Sequence, residues 1–310
     1  MLVHNLKLFR EIVHARSVSR GAQISGVSQS AASQHVQETE RLLGVQLLDR
    51  SKRPLKVTEA GRLYNEFCGE ILRRKQELDD AMGRLRGREQ GLVRVAAIYS
   101  VGLSDMSRLT AELSRRMREA ELQVEYLRPE RVYDAVLADQ ADLGLVSYAE
   151  SNREMTAIPW REERMMVAVA PSHPLASQKV LNLSDLALRD FVAFDDDLRV
   201  GREVKRYLRD SGAQVNLVMH FDNIQTMKEA VALGSSLSLL PVRVLRNDIE
   251  QGRLVAIPLK GCPLVRPMGI IHRRRKKFNQ ATQTFLELLR QEAASESSAI
   301  GTRPLRHRSL

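Results

Sequence analysis

From Tyr64 to Leu85 one pattern holds: Tyr64, Phe67, Ile71, Arg74, Leu78, Ala81 and Leu85 follow one another in alternating steps of three and four residues. That spacing lays a seam along one side of a long helix, the arrangement that pairs helices in coiled coils. Two readings fit it: a dimerisation seam, or a lone amphipathic helix lying on its own chain. The regular alternation favours a mate. Arg74 interrupts the seam, either snorkelling to water or fixing register against Glu66, Glu70 or an acidic group of a partner. Thr58 can cap this helix and Glu59 suits its positive end. A rod of this length divides the chain into a short segment before it and a longer one after it.

The short segment has the helical spacing of a small bundle. Leu6, Phe9, Ile12 and Val13 share one face of a first helix while Lys7, Arg10 and Glu11 stay wet. A second helix is predicted after Ser17, with Val18 and Ala22 inward, and Gly26 and Val27 turn the chain into a third. That third helix is SQSAASQHVQETERLLG, capped by Ser28 and ended by Gly44, with Ala31, Ala32, Val36, Leu42 and Leu43 as its apolar contribution. Val45–Leu48 and Leu55–Val57 are predicted to pair around a charged turn from Asp49 to Pro54, completing a helix-turn-helix with a small wing.

Gln29, Ser30, Ser33 and Gln34 occupy the first two turns of the third helix, where Gln can bond an adenine edge in the major groove and Ser can reach base or phosphate. Arg50, Lys52, Arg53 and Lys56 of the wing are placed to neutralise phosphates, which positions a protein without specifying sequence. A solvated surface is the plainer reading of any one of these residues; the cap, turn, polar front and basic wing together point to DNA. Charge agrees. The chain is +10 overall; residues 1–58 hold nine Lys or Arg against four Asp or Glu, residues 271–310 nine against three, and the body between is nearly neutral. Net charge alone fits an acidic membrane surface as well as nucleic acid.

Several classes fall away. No signal peptide precedes His4 and no uncharged run is long enough to span a bilayer, so a cytoplasmic protein without membrane partners is expected. Cys68 and Cys262 are too few for a structural zinc cluster; two unrelated packed thiols are expected, with a redox pair as the alternative. His173, in VAPSHPLA, has no local nucleophile and reads as a turn residue. Asp195, Asp196 and Asp197 lack the spacing of a calcium loop and read as a solvated face. No catalytic residue, metal or cofactor is expected; the chain is read as no enzyme, with a DNA-binding enzyme as the alternative from a different class.

Beyond Leu92 the pattern alternates. Strands are predicted at Val93–Ile98, Leu122–Tyr126 and Ala141–Val146. A loop is predicted at Ser100–Gly102, and helices from about Ser104 and over Arg131–Ala138. A second unit is predicted from Arg164 with MMVAVAP, DFVAFD at Asp190–Asp195 and strands near Asn216–His220 and Ser236–Leu240. Met268–Ile271 and a helix over Ala281–Leu289 then return to complete the first. HRRRKK at His272–Lys277 is open between a surface charge run and a further nucleic-acid or subunit contact. The polar stretch beyond Glu292, ending RPLRHRSL, is expected to be poorly ordered.

The first segment closely resembles the amino-terminal domain of LysR-type transcriptional regulators. The match rests on Phe9, SVSRGAQISGVSQSAASQHV (Ser17–Val36), Glu40, LLGVQLLDR (Leu42–Arg50) and VTEAG (Val57–Gly61). It departs at Ile24, Ser25, Thr39 and Leu48. GLVS, VAPSHPLA and FDNIQTMKEAVALGSSLSLLP resemble landmarks of the same family's effector domain. The resemblance implies an α/β chain overall, with a winged helix-turn-helix over 1–58 and a coiled-coil dimerisation helix over 59–89. It also implies a two-lobed effector domain like periplasmic binding proteins, with lobe I over 90–163 and 268–292 and lobe II over 164–267; a polar basic tail covers 293–310. It places a small polar or anionic effector in the interlobe cleft, at Ile98, Ser100, Val101, Ser147, Phe194, Asn223 and Gln225; Tyr99 is added from its position beside them. Promoter DNA, a second copy, a tetramer and RNA polymerase are the implied partners, and a ligand-responsive regulator the implied function. The competing reading is a constitutive architectural DNA-binding protein without an effector.

Overall fold

The computed structural model describes residues 3–49, 55–85, 91–261 and 263–300. The chain divides into two compact units, 1–89 and 90–310.

In the first unit α1 (Val3–Ala15), α2 (Val18–Ile24) and α3 (Gln29–Leu43) pack around Leu6, Leu8, Phe9, Ile12, Ala22, Ala32 and Val36. Side-chain caps start the second and third helices: Ser17 Oγ accepts the Arg20 amide at 3.3 Å, and Ser28 Oγ accepts the Ala31 amide at 3.2 Å. Gly44 ends α3 at φ 69°, a left-handed conformation that a side chain resists. Among the described residues of the wing, β1 (Leu48–Asp49) and β2 (Lys56–Val57) pair, antiparallel, while Val45–Leu47, expected in the strand, precede it. Glu40 ties it to α3 by accepting the amides of Leu47 and Leu48 at 2.8 and 3.1 Å. Thr58 Oγ1 caps α4 (Glu59–Leu85) by accepting the Gly61 amide at 2.9 Å. Leu42 and Leu43, expected to pack, are exposed.

The second unit is a mixed α/β fold with two apolar cores. The first core, lobe I, is built by β3 (Leu92–Ile98), α5 (Tyr99–Ser104), α6 (Met106–Arg116), β4 (Glu121–Leu127), α7 (Pro129–Leu137) and β5 (Leu143–Ser147). The strands β4, β3 and β5 are parallel neighbours, so α7 returns over the sheet as a crossover. Next comes β6 (Met155–Val169), whose Met155 and Trp160 enter the first core while Met165 and Val167–Val169 enter the second. The second core, lobe II, gathers β7 (Asp190–Phe194), α8 (Arg199–Asp210), β8 (Asn216–Phe221), α9 (Ile224–Ala232), β9 (Ser238–Pro241), α10 (Val242–Glu250) and β10 (Val255–Ile257). The chain then returns through β11 (Val265–Arg273), antiparallel to both β6 and β5, and α11 (Gln280–Ile300), whose Phe285, Leu286 and Leu289 complete the first core.

Three expectations are corrected. Ser100–Gly102 lies in the short helix α5 rather than a loop. Arg164 and Met268 fall inside β6 and β11 rather than at their ends, since Val265–Arg273 pairs along its whole length with residues 155–164 of β6, with a register shift between Met268 and Gly269. The final helix continues to Ile300, beyond the expected onset of disorder at Glu292.

Candidate functional site

Two sites emerge, one in each unit. On α3, Gln29, Ser30 and Gln34 are exposed and Ser33 half-buried, while Ala32 and Val36 turn into the core. The polar front is therefore presented by the same helical turn that anchors the helix. Ser30 Oγ lies 2.9 Å from Ser28 Oγ. Lys56 is exposed on the wing; Arg50, Lys52 and Arg53 lie outside the described residues. Ser25, the departure from the family pattern on α2, buries a hydroxyl without a hydrogen-bond partner, the cost expected of a polar group at an apolar position. Thr39 meets its need by donating to the His35 carbonyl at 2.8 Å.

Along α4, Phe67, Ile71 and Leu78 are 46%, 37% and 55% exposed, and Leu63 and Met82 are exposed with them, so an apolar stripe is left uncovered in the single chain. Tyr64 does not belong to that stripe. It is buried in the amino-terminal core, edge-on to Phe9 at 4.8 Å between centroids. The side chains of Ala81 and Leu85 lie outside the described residues. Cys68 is fully buried in the same core, and burial pushes its thiol up to about 11 and the neighbouring Tyr64 phenol up to about 12. Cys262 lies outside the described residues.

In the second unit a cleft of about 280 Å³ opens between the lobes, near the lower bound for small-molecule sites. Ile98, Tyr99, Ser100, Ser147 and Phe194 line it. Three expected residues do not. Val101 is buried in the lobe I core; Asn223 caps α9 by accepting the Gln225 amide at 2.8 Å; and Gln225 donates to Glu229 at 2.8 Å. Their neighbours Asp222 and Ile224 face the cleft instead.

Arginines account for most of what the sequence left unseen. Arg128, Arg199, Arg202 and Arg266 all line the cleft, accompanied by Glu130, Glu150, Asp197 and Asp222. Arg266 is almost wholly buried: it donates to Ser100 Oγ at 3.2 Å and, through Nε, to Glu163 at 3.1 Å. Behind it, Arg161 bonds Glu163 at 2.8 Å and Asp105 at 2.6 Å; Asp105 meets Arg243 of α10 at 2.5 Å. Burial opposes ionisation of Glu163, yet Arg266 and Arg161 hold its carboxyl below the usual range. One signal for this chain of charges was legible: Arg161 and Glu163 stand two apart, hence on one face of a strand.

The other charged motifs form pairs within the fold. His173 is buried in a turn, its Nδ1 accepting the Leu175 amide at 3.2 Å, and burial lowers its pKa. Asp195 pairs with His220, Asp196 with Lys205 and Asp197 with Arg128, so the aspartate run is ion-paired rather than merely solvated. Within HRRRKK, Arg273 and Lys276 hold Asp139 at 3.1 and 2.6 Å, and Arg274 donates to the Asn152 carbonyl at 2.9 Å. Among the described residues no group of three or more His, Cys, Asp or Glu is placed to hold a metal, and no helix is long and apolar enough to cross a membrane.

A winged helix-turn-helix with an open polar face, joined in one chain to a two-cored α/β unit with a small-molecule-sized cleft, defines a DNA-binding regulator rather than an enzyme. Residues 3–62 match the bacterial regulatory helix-turn-helix protein, lysR family, and residues 86–294 match the LysR substrate binding domain. The chain belongs to the LysR family of transcriptional regulators. It is 25% identical over 299 residues to the RuBisCO operon transcriptional regulator of Allochromatium vinosum, covering 96% of this chain and 99% of that one. Its fold matches full-length CbnR complexed with its target DNA (21% identity, 94% of this chain and all of that one, TM-score 0.61). It also matches the regulatory domain of Synechocystis PCC6803 CcmR in complex with 2-PG (20% identity, 66% of this chain and 97% of that one, TM-score 0.59).

Proposed function

We propose that this chain is a ligand-responsive transcriptional regulator of the cytoplasm. It pairs through α4, reads promoter half-sites with α3 and changes the geometry of the paired reading heads when a small anionic molecule enters the interlobe cleft. The observation that carries the reading is Arg266: a buried guanidinium touching Ser100 at the lining of a cleft of small-molecule size, in a chain whose other unit presents a recognition helix. Gln29, Ser30, Ser33 and Gln34 are assigned to base edges, and Lys56 with Arg50, Lys52 and Arg53 to phosphates. Phe67, Ile71 and Leu78 form the dimer contact. Two-fold pairing suits an operator with matching half-sites, and the tetramer usual in the family is the working form on DNA. The CcmR regulatory domain in complex with 2-PG supports a small-molecule ligand for a domain of this fold.

The test is a metabolite thermal-shift screen followed by calorimetry on the full chain and its Ser100→Ala variant. A true effector stabilises the regulatory unit by mass action and loses affinity in the variant. Sequence-specific DNA binding with no saturable small ligand would instead establish a constitutive architectural protein.

A further inference from the structure

The cleft carries its own anions. Arg128, just after β4 on lobe I, holds Asp197 at 2.6 Å and Asp222 at 3.5 Å, both from lobe II. The converse pair stands in the same cavity: Arg199, which opens α8 on lobe II, holds Glu150 of lobe I and lies over the Tyr148 ring at 5.1 Å. Lobe I thus offers one cation and one anion and lobe II one cation and two anions, and each cation is answered from across the cleft.

Two details set these pairs apart from ordinary surface charges. Each spans the cleft, so parting the lobes breaks both. In addition, the Nε–H of Arg128 is buried with no acceptor although its terminal nitrogens meet two carboxylates, so neither incumbent completes this guanidinium. The incumbents are also easily released. Glu150 and Asp197 are 69% and 64% exposed and regain water when displaced, whereas Arg199 and Arg128 are more covered, at 45% and 39%.

We propose that Glu150 and Asp197 are built-in substitutes for the ligand, and that the cleft selects an organic anion bearing two acidic groups, which replaces Glu150 on Arg199 and Asp197 on Arg128. This rests on the reading of the cleft as the effector site. A single-headed anion replaces one carboxylate with another and gains little. A two-headed anion serves a guanidinium from each lobe, and carboxylate and phosphate both match its planar fork. Glu150 and Asp197 then set selectivity by competing with every weaker anion.

The test is calorimetry on the full-length protein at constant ionic strength. Succinate, glutarate and phosphonoacetate are the two-headed probes; acetate and inorganic phosphate are the single-headed controls. At least one two-headed probe is expected to bind tenfold or more tighter than either control. Glu150→Gln and Asp197→Asn should each tighten it about two- to fivefold, the scale of losing an exposed competing ion pair, and Arg128→Gln and Arg199→Gln should each weaken it about tenfold. Equal binding of single- and two-headed probes, or no tightening in both carboxylate variants, overturns the proposal. If no two-headed probe binds but another metabolite stabilises the regulatory unit in a Ser100-dependent manner, the proposal falls while the effector-site reading stands. If nothing binds, both fall.

Discussion

Arg161 and Asp105 meet at 2.6 Å with both side chains only 1% exposed, where β6 passes from one core of the regulatory unit to the other. Through Glu163 and Arg266 the same charges reach Ser100 in the cleft, and through Arg243 they reach α10 of lobe II. Buried ion pairs add little over apolar packing, but stranding one partner is expensive. Arg161→Met should therefore destabilise the regulatory unit by about 3–5 kcal/mol, measured by urea unfolding. A cost below about 1 kcal/mol would show that water reaches these charges.

Acid should weaken the same unit. Burial works against the charged forms of Glu163 and Asp142, yet Arg266 with Arg161, and Arg94 with Lys276, hold the two carboxyls below their ordinary values. Stability from a lowered carboxyl is present above its unfolded pKa of about 4 and is lost as pH falls toward the folded value. Glu292 has the opposite sign, since burial raises it, so its contribution is lost as pH rises through the folded pKa. Glu112 is held low as well, by Arg115 and Arg116, so lowered carboxyls outnumber the raised one and melting temperature is expected to fall between about pH 5 and pH 3. Scanning calorimetry across that range checks this, and Glu163→Gln should flatten the slope.

The exposed stripe on α4 makes a separate expectation. Phe67→Asp should shift the oligomer toward monomer in sedimentation equilibrium while far-ultraviolet dichroism is retained, because Phe67 is half exposed in the single chain. Tyr64→Ala acts elsewhere: it opens a cavity beside Phe9 and should cost about 3–5 kcal/mol of amino-terminal stability, by analogy with other large aromatic truncations in cores.

On DNA, Gln29→Ala should flatten discrimination among promoter variants. Lys56→Ala should weaken all sites evenly and reduce the slope of log affinity against log salt by about one. Binding to a randomised pool at several salt concentrations separates the two; an unchanged sequence profile for Gln29→Ala removes that residue from the base-reading set.

Cys68 should be silent to thiol reagents. In a Cys262→Ser background, native protein at pH 7.5 is expected to react with a disulfide reagent only at the rate at which it unfolds. Cys68 is fully buried, and that burial pushes its thiol up to about 11, away from the reactive thiolate. Fast native labelling would reopen a redox role.

The amino-terminal unit was the more legible half because its signals are local: Ser28 and Thr58 are caps read from sequence, and Gly44 is a left-handed stop. In the regulatory unit the strands announced themselves by apolar runs, but α5 did not. Six residues carry little helical periodicity, and Gly102 reads as a breaker. Its real constraint is spatial, since a Cβ there would lie 2.4 Å from the Tyr126 ring. The second unit was expected from Arg164, whereas β6 continues through that residue, with Arg161 and Glu163 paired to each other and Glu163 also to Arg266. The cleft arginines were hidden for a similar reason. Arg128, Arg199 and Arg266 are far apart in sequence, each an ordinary surface residue by local criteria, and only the return of β11 beside β6 and β5 brings the last of them to the cavity.

That return also imposes an order on synthesis. The lobe II core draws on residues 165–259 and is complete within one continuous stretch, whereas the lobe I core waits for Phe285, Leu286 and Leu289 of α11. On the ribosome the inserted lobe can close while the lobe that precedes it is still missing its last helix, so the faces of β3 and β6 on which α11 packs stay without their final cover until that helix emerges. A stop codon between Leu264 and α11 would therefore release a chain with one sealed lobe and one open apolar sheet, a substrate for chaperones and proteases rather than a shortened regulator.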